Sequence, residues 1–266
     1  MRRGRQQRSR LVVRPLVLAL ALALAFGGVA AGGTDGLQSV EGGITPTKLD
    51  KRKFEPATLF VDVFTALNDE GRPKGEQPPS VNRIRVDLPR NLRFDPAAVP
   101  RCGVGAADLD GRTAAEQQDL CGRDSKVSID GGSSAQVTYD PTPLFPAGDS
   151  MVVPVSLQVF NGREPNSLYL ATDPEGMFVT TPVIVGELVK SDAERAFGSQ
   201  LDLVVPALRS GAFSNLKVTL SAKTYIQARC RRETNTLQVR AEYEDHSPSL
   251  VQDETRCKQR KPKRRG

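Results

Sequence analysis

Few residue types in this chain could do chemistry, and each has to be judged by its spacing. His246 is the only histidine. A hydrolase triad or a histidine-ligated zinc site needs an imidazole held by partners in a defined geometry. Here it lies in Glu244-Asp245-His246-Ser247, a polar stretch that reads as a turn, and neighbours in sequence are not a triad. A solvated loop residue is the expectation. Asp108-Leu-Asp110-Gly111 hints at a calcium loop but lacks the further carboxylates and the closing glutamate of an EF-hand. Asp119 and Asp124 are near enough in sequence to add oxygens. A turn before a helix is the better reading, and a cation-binding adhesion module depends on the other. No carboxylate pair stands out for glycosidic cleavage. The glycines are scattered and make no phosphate-cradling loop.

The four cysteines, Cys102, Cys121, Cys230 and Cys257, depend on compartment. The N-terminus supplies it. Arg2, Arg3, Arg5, Arg8, Arg10 and Arg14 precede an apolar run from Leu16 to Phe26, and small residues follow from Gly27 to Gly33. That order is a secretory signal peptide over residues 1–31, with Val29-Ala30-Ala31 as the small-x-small exit. The 11-residue run is well short of the ~20 that a spanning helix needs. Cleavage after Ala31 is therefore expected, and no transmembrane span in the mature form. In an exported chain four cysteines read as two disulfides rather than as nucleophiles. Three connectivities exist. Local pairing, 102 with 121 and 230 with 257, is expected because short loops close at lower entropic cost.

The formal charge of +6 hides an asymmetry. Six arginines lie in residues 1–31, and Lys258, Arg260, Lys261, Lys263, Arg264 and Arg265 crowd residues 258–266, with no acid in either segment. Taking those twelve from the 37 basic residues leaves 25 against 31 acidic ones, a net −6. A nucleic-acid function resting on overall basicity fails here. The tail itself reads either as a solvated, disordered terminus or as a polyanion contact, to anionic wall polymer, lipid head groups or extracellular nucleic acid. Tryptophan is absent and aromatics are 5% of the chain, which weakens carbohydrate and single-strand stacking platforms.

The elements that position these residues follow from alternation. Residues 32–53 are rich in Gly, Thr, Lys and Asp and read as a linker. Residues 58–64 and 81–88 alternate in period two, with a Gly/Pro-rich loop at 68–79 between them. Thr113-Ala-Ala-Glu116 has capping-box spacing, so a two-turn helix is predicted between Cys102 and Cys121. Further strands are predicted at 126–129, 135–139, 151–160, 167–171, 177–189, 201–205, 216–222 and 236–243, with one helical turn at 191–196. Pro154 and Pro182 belong at an edge or a bulge. The sum is an all-β chain: an antiparallel β-sandwich of about ten strands over 54–257, with one short disulfide-tied helix and a basic tail at 258–266. Two smaller sandwiches divided near Gly186 are the lesser alternative.

Four stretches then form a pattern: Phe54-Glu-Pro-Ala-Thr-Leu, Val86-Asp-Leu-Pro-Arg-Asn-Leu, Asp95-Pro-Ala-Ala-Val-Pro-Arg-Cys102 and Leu120-Cys-Gly-Arg-Asp-Ser-Lys-Val127. Their order resembles a family of exported, cysteine-containing β-rich proteins of high-GC Gram-positive (actinobacterial) bacteria. The resemblance covers 54–130 best and echoes weakly in Cys230 and Cys257. It implies a secreted β-rich domain and transfers no catalytic residue. The function expected is a non-enzymatic binding or structural module of the cell envelope, outside the cytoplasmic membrane. It needs no cofactor, and its partner is an anionic cell-wall polymer or another envelope protein. A secreted, carboxylate-dependent, glycosidase-like hydrolase is the alternative.

Overall fold

Alternation of burial carries the architecture. Along Thr58–Thr65 every second side chain is buried, which puts Leu59, Val61 and Val63 on one face of a strand. The computed structural model describes residues 38–65, 78–139, 151–173, 182–193, 196–208, 211–244 and 248–260. The signal segment, His246 and 261–266 lie outside them.

The first strands are β1 (Gln38–Thr45), β2 (Lys48–Leu49), β3 (Glu55–Pro56), β4 (Thr58–Thr65), β5 (Val81–Pro89) and β6 (Leu92–Phe94). After helix α1 (Ala114–Cys121) come β7 (Ser134–Tyr139), β8 (Met151–Asn161), β9 (Ser167–Thr172), β10 (Ile184–Lys190) and β11 (Phe197–Val204). The last are β12 (Ala212–Leu220), β13 (Ile226–Ala228), β14 (Thr234–Tyr243), β15 (Ser249–Arg256) and β16 (Lys258–Gln259).

One antiparallel sheet of 11 strands runs β1-β4-β12-β7-β8-β9-β10-β11-β5-β14-β15. It folds over at β8, whose residues 151–156 pair with β7 while 157–161 pair with β9. Two layers result. Val61 and its neighbours on β4 and β12 face Ile84, Val86, Leu201 and Leu203 on β5 and β11 across an apolar interior. This is the expected antiparallel sandwich, nearly closed into a barrel. The outer strands β1 and β15 meet: the Gly42 N–H donates to Asp253 Oδ2 at 2.8 Å and Ser249 Oγ to Gln38 Oε1 at 2.6 Å. Gly42 lets Leu237 pack close there: a Cβ would stand 2.3 Å from Leu237 Cδ1, so the leucine tip would have to shift.

Both disulfides have the expected local pairing, Cys102–Cys121 and Cys230–Cys257. Helix α1 starts at the predicted cap, with the Thr113 N–H donating to Glu116 Oε2 at 2.8 Å and the Glu116 N–H to Thr113 Oγ1 at 3.4 Å. Hydrogen bonds from the Thr113 backbone and hydroxyl hold the Glu116 carboxyl below its ordinary pKa. The helix buries its disulfide with Leu109, Phe160 and Tyr169 in a small second core.

Four expectations are corrected. Residues 38–49, read as linker, form β1 and β2 and bury Val40, Ile44 and Leu49, because pairing with β4 outweighs the weak strand propensity of Gly42-Gly43. Residues 126–129 make only isolated bridges, Lys126 to Phe160 and Ser128 to Leu220. Gly186 lies within β10 of a continuous sheet, so there is no division there. The tail begins later than expected: Lys258 and Gln259 pair in parallel with β2.

Candidate functional site

Two short strands and the ends of two long ones build one groove. β6, β13 and β3 form a small sheet in the order β3-β13-β6. Gln227 on β13 pairs with Arg93 on β6, and Ala228 pairs with Glu55 on β3. Side chains alternate across a strand, so Arg93, Gln227, Arg229 and Phe54 share one face. The Arg93 and Arg229 guanidinium carbons each lie 4.4 Å from the Phe54 ring centroid. Both guanidinium groups therefore stack on the one Phe54 ring. Arg93 is oriented further by Nη2 donating to Gln227 Oε1 at 2.7 Å.

The opposite wall is the end of β10 and the start of β11, including Lys190, Ser191, Phe197 and Ser199. Arg90, in the β5–β6 turn, joins the walls by donating from Nε to the Phe197 carbonyl at 2.9 Å. The space between measures about 780 Å³. Five cations line it (Arg90, Arg93, Lys190, Arg229 and Arg231), and no acidic residue lines it among the described residues. Among the described residues no carboxylate forms an ion pair with any of the five. Two polar atoms of the lining, Arg229 Nε and Ser199 Oγ, are buried with no hydrogen-bond partner among the described residues. Leaving a buried donor unmade costs about 1–3 kcal/mol, so each such group calls for an explanation. Guanidinium forks match oxyanions in charge and geometry, which is the ligand chemistry this lining suits.

Two arginines of β5 are neutralised instead. On the outer face of β5, Arg83 donates from Nε and Nη2 to Asp202 at 2.7 and 2.5 Å, and Arg85 meets Glu242 at 2.7 Å. The hydrogen bond to Asp202 raises the Arg83 pKa above its ordinary value. Between the two groups lies Asp87, fully buried, accepting from Ser191 Oγ at 2.6 Å, Gln200 Nε2 at 2.9 Å and Gln238 Nε2 at 3.2 Å. Those donors enclose Asp87 and tether the groove wall at Ser191.

The residues singled out by sequence fall elsewhere. Asp108 Oδ2 accepts the Gly105 N–H at 2.9 Å and Asp110 Oδ1 the Val183 N–H at 2.7 Å, so both carboxylates serve the local backbone. Among the described residues no group of three or more His, Cys, Asp or Glu converges to hold a metal ion. All four cysteines are in disulfides. Of the tail cations, Lys258 and Arg260 are placed on the fold; Lys261, Lys263, Arg264 and Arg265 lie outside the described residues. No helix among the described residues is long and apolar enough to cross a membrane.

Sequence reasoning missed the groove. Its signal was present in Lys51-Arg52-Lys53, Arg90-Asn-Leu-Arg93 and Arg229-Cys-Arg231-Arg232, but summing charge over the chain erased it. Comparison with protein-family models, curated proteins and solved structures finds no match to this chain.

Proposed function

We propose that the protein is an exported, non-enzymatic binding module of the cell envelope that holds an anionic wall polymer in the basic groove. The observation that carries this is five cations around one groove with no carboxylate among its described lining residues. Support for the compartment comes from the N-terminal signal pattern and from two disulfides, which persist in oxidising surroundings. The resemblance to exported actinobacterial proteins points the same way. A glycosidase-like site needs two carboxylates facing one cavity. Among the described residues the groove lining holds no such pair, and Asp87 is shut in by three hydrogen bonds.

The test is retention of the mature chain on isolated envelopes across a salt series. Five displaced counterions make affinity fall on the order of 10²-fold between about 50 and 200 mM salt. Retention that ignores both salt and an Arg93→Glu/Arg231→Glu double change would sink the proposal. Release of glycan fragments by the mature chain would replace it with the hydrolase.

A further inference from the structure

Resting on that reading of the groove, we infer that the ligand is a linear polyanion, long enough to leave the groove and lie across the exposed turn Lys51-Arg52-Lys53. Groove and turn touch through Phe54. That residue follows Lys53 directly, and its ring carries the guanidinium groups of Arg93 and Arg229, which line the groove. Backbone contacts hold the junction. The Cys230 N–H donates to the Asp50 carbonyl at 2.8 Å, and Arg229 Nη1 to the Arg52 carbonyl at 3.5 Å.

The turn is built, not merely charged. Asp50 Oδ1 pins it by accepting the N–H groups of Arg52 at 2.7 Å and Lys53 at 2.8 Å. Its three side chains stay in solvent, and among the described residues no carboxylate forms an ion pair with them. Both acids of residues 48–55 are occupied within this corner: Asp50 on the turn, Glu55 on Arg260 Nη1 at 2.9 Å and on the Asp50 N–H at 3.0 Å. Beside the turn, Lys48 on β2 stands opposite Lys258 on β16. Like charges placed opposite one another weaken a strand pair, so this corner, like the groove, concentrates charge at a cost to the fold. The four residues of the turn lengthen the charged path by on the order of 10 Å. A short anion is held by the groove alone. A longer chain gains the turn as a second contact, which is intramolecular once the first is made. The aromatic rings here are already engaged: Phe54 under two guanidinium groups, Phe94 edge-on to Tyr225, and Phe197 buried. Base stacking needs an open ring face, so the surface suits repeated charge rather than nucleic-acid bases.

The experiment measures the affinity of the mature chain for tripolyphosphate and for a long linear polyphosphate, and takes their ratio per phosphate. The same ratio is taken with Lys51→Gln/Arg52→Gln/Lys53→Gln. A control of equal charge is Arg112→Gln/Arg123→Gln/Lys217→Gln, three exposed cations outside both groove and turn. The expected long-to-short ratio is at least about tenfold for the unmodified chain and the control, collapsing to a few-fold in the turn variant while its tripolyphosphate affinity stays within a few-fold. A ratio unchanged in the turn variant, or lowered equally by the control, overturns the extended surface while leaving the groove reading intact. So does tighter binding, per phosphate, of single-stranded DNA than of polyphosphate. Failure of the unmodified chain to bind either phosphate probe, or tripolyphosphate binding that survives Arg93→Glu/Arg231→Glu, overturns the groove reading itself. Unchanged melting temperatures show that each variant is folded.

Discussion

Four arginines fall within residues 83–93, and the fold treats them in two opposite ways. Arg83 and Arg85 point outward from the middle of β5, where cross-strand Asp202 and Glu242 neutralise them. Arg90 and Arg93 follow the end of that strand and have no acidic partner among the described residues. The difference is one of neighbours. Mid-strand side chains meet those of β11 and β14 at fixed register, and opposite charges there add to ladder stability. Past Pro89 the chain turns into β6, whose partner β13 presents Gln227 opposite Arg93, with Arg229 just beyond its end. Cations concentrated without counter-charge repel one another, so they weaken the fold unless something else needs them.

The contrast can be broken at several points. Cys230 stands between Arg229 and Arg231, and its disulfide closes a separation of 27 residues. Replacing Cys230 and Cys257 with serine should lower stability by about 3–4 kcal/mol in the chain-entropy account and weaken anion binding as well. Chemical denaturation and the polyphosphate assay read the two effects. The corresponding change at Cys102 and Cys121, separation 19, should cost about 3 kcal/mol and leave binding alone. Equal damage to binding from both pairs would mean that the groove is not specially held by Cys230.

Charge reversal gives the sharpest form of the comparison. Arg93→Glu/Arg231→Glu should cut envelope retention about 100-fold, near 2.7 kcal/mol, with little change in melting temperature. Arg83→Glu/Arg85→Glu alters net charge equally, yet should leave retention within a few-fold while destabilising the sheet. If the two doubles weaken retention alike, net charge and not groove geometry governs binding. Asp202→Ala should be milder: it frees Arg83 while Arg85 keeps Glu242, and partial exposure limits the loss to about 1 kcal/mol, measured by urea denaturation.

The smallest effect concerns pH. The backbone N–H of Lys53, and next that of Arg52, hold the Asp50 carboxyl below its ordinary pKa. A depressed carboxylate contributes stability that is present above the unfolded value, near 3.8, and is lost as pH falls through the folded one. The Asp50 carboxyl resonance should therefore titrate below a free aspartate. Ordering of Lys51-Arg52-Lys53 should disappear only in that acid range. A midpoint at or above the free value would count against the pinned turn.

Much of the fold was readable because alternation is a local signal. β4, β5, β7, β8, β9 and β14 all lie where period two places them, and the Thr113 cap and both cystines follow from spacing. Strand β1 was not readable: its glycines lower strand propensity, and only Leu237 lying against Gly42 shows what a glycine allows there. Strand β15 was hidden because its more buried face carries Ser249, Asp253 and Thr255 beside the single apolar Val251, so the residue types show no apolar alternation. The groove was hidden for another reason, since its cations come from segments far apart in the chain.

By itself the sequence determined an all-β, disulfide-stapled chain with an export signal pattern, and basic clusters of unassigned purpose. Only the tertiary structure decided which of those clusters meet. Arg93 and Arg229 are 136 residues apart, and their approach depends on β6 pairing with β13 and β13 with β3. Net charge is a sum without position, while a binding groove is made of position: the same 37 bases and 31 acids describe a neutralised face and an open one. Long-range strand pairing distributes the charge between them, because it sets which side chains lie within a hydrogen bond of one another.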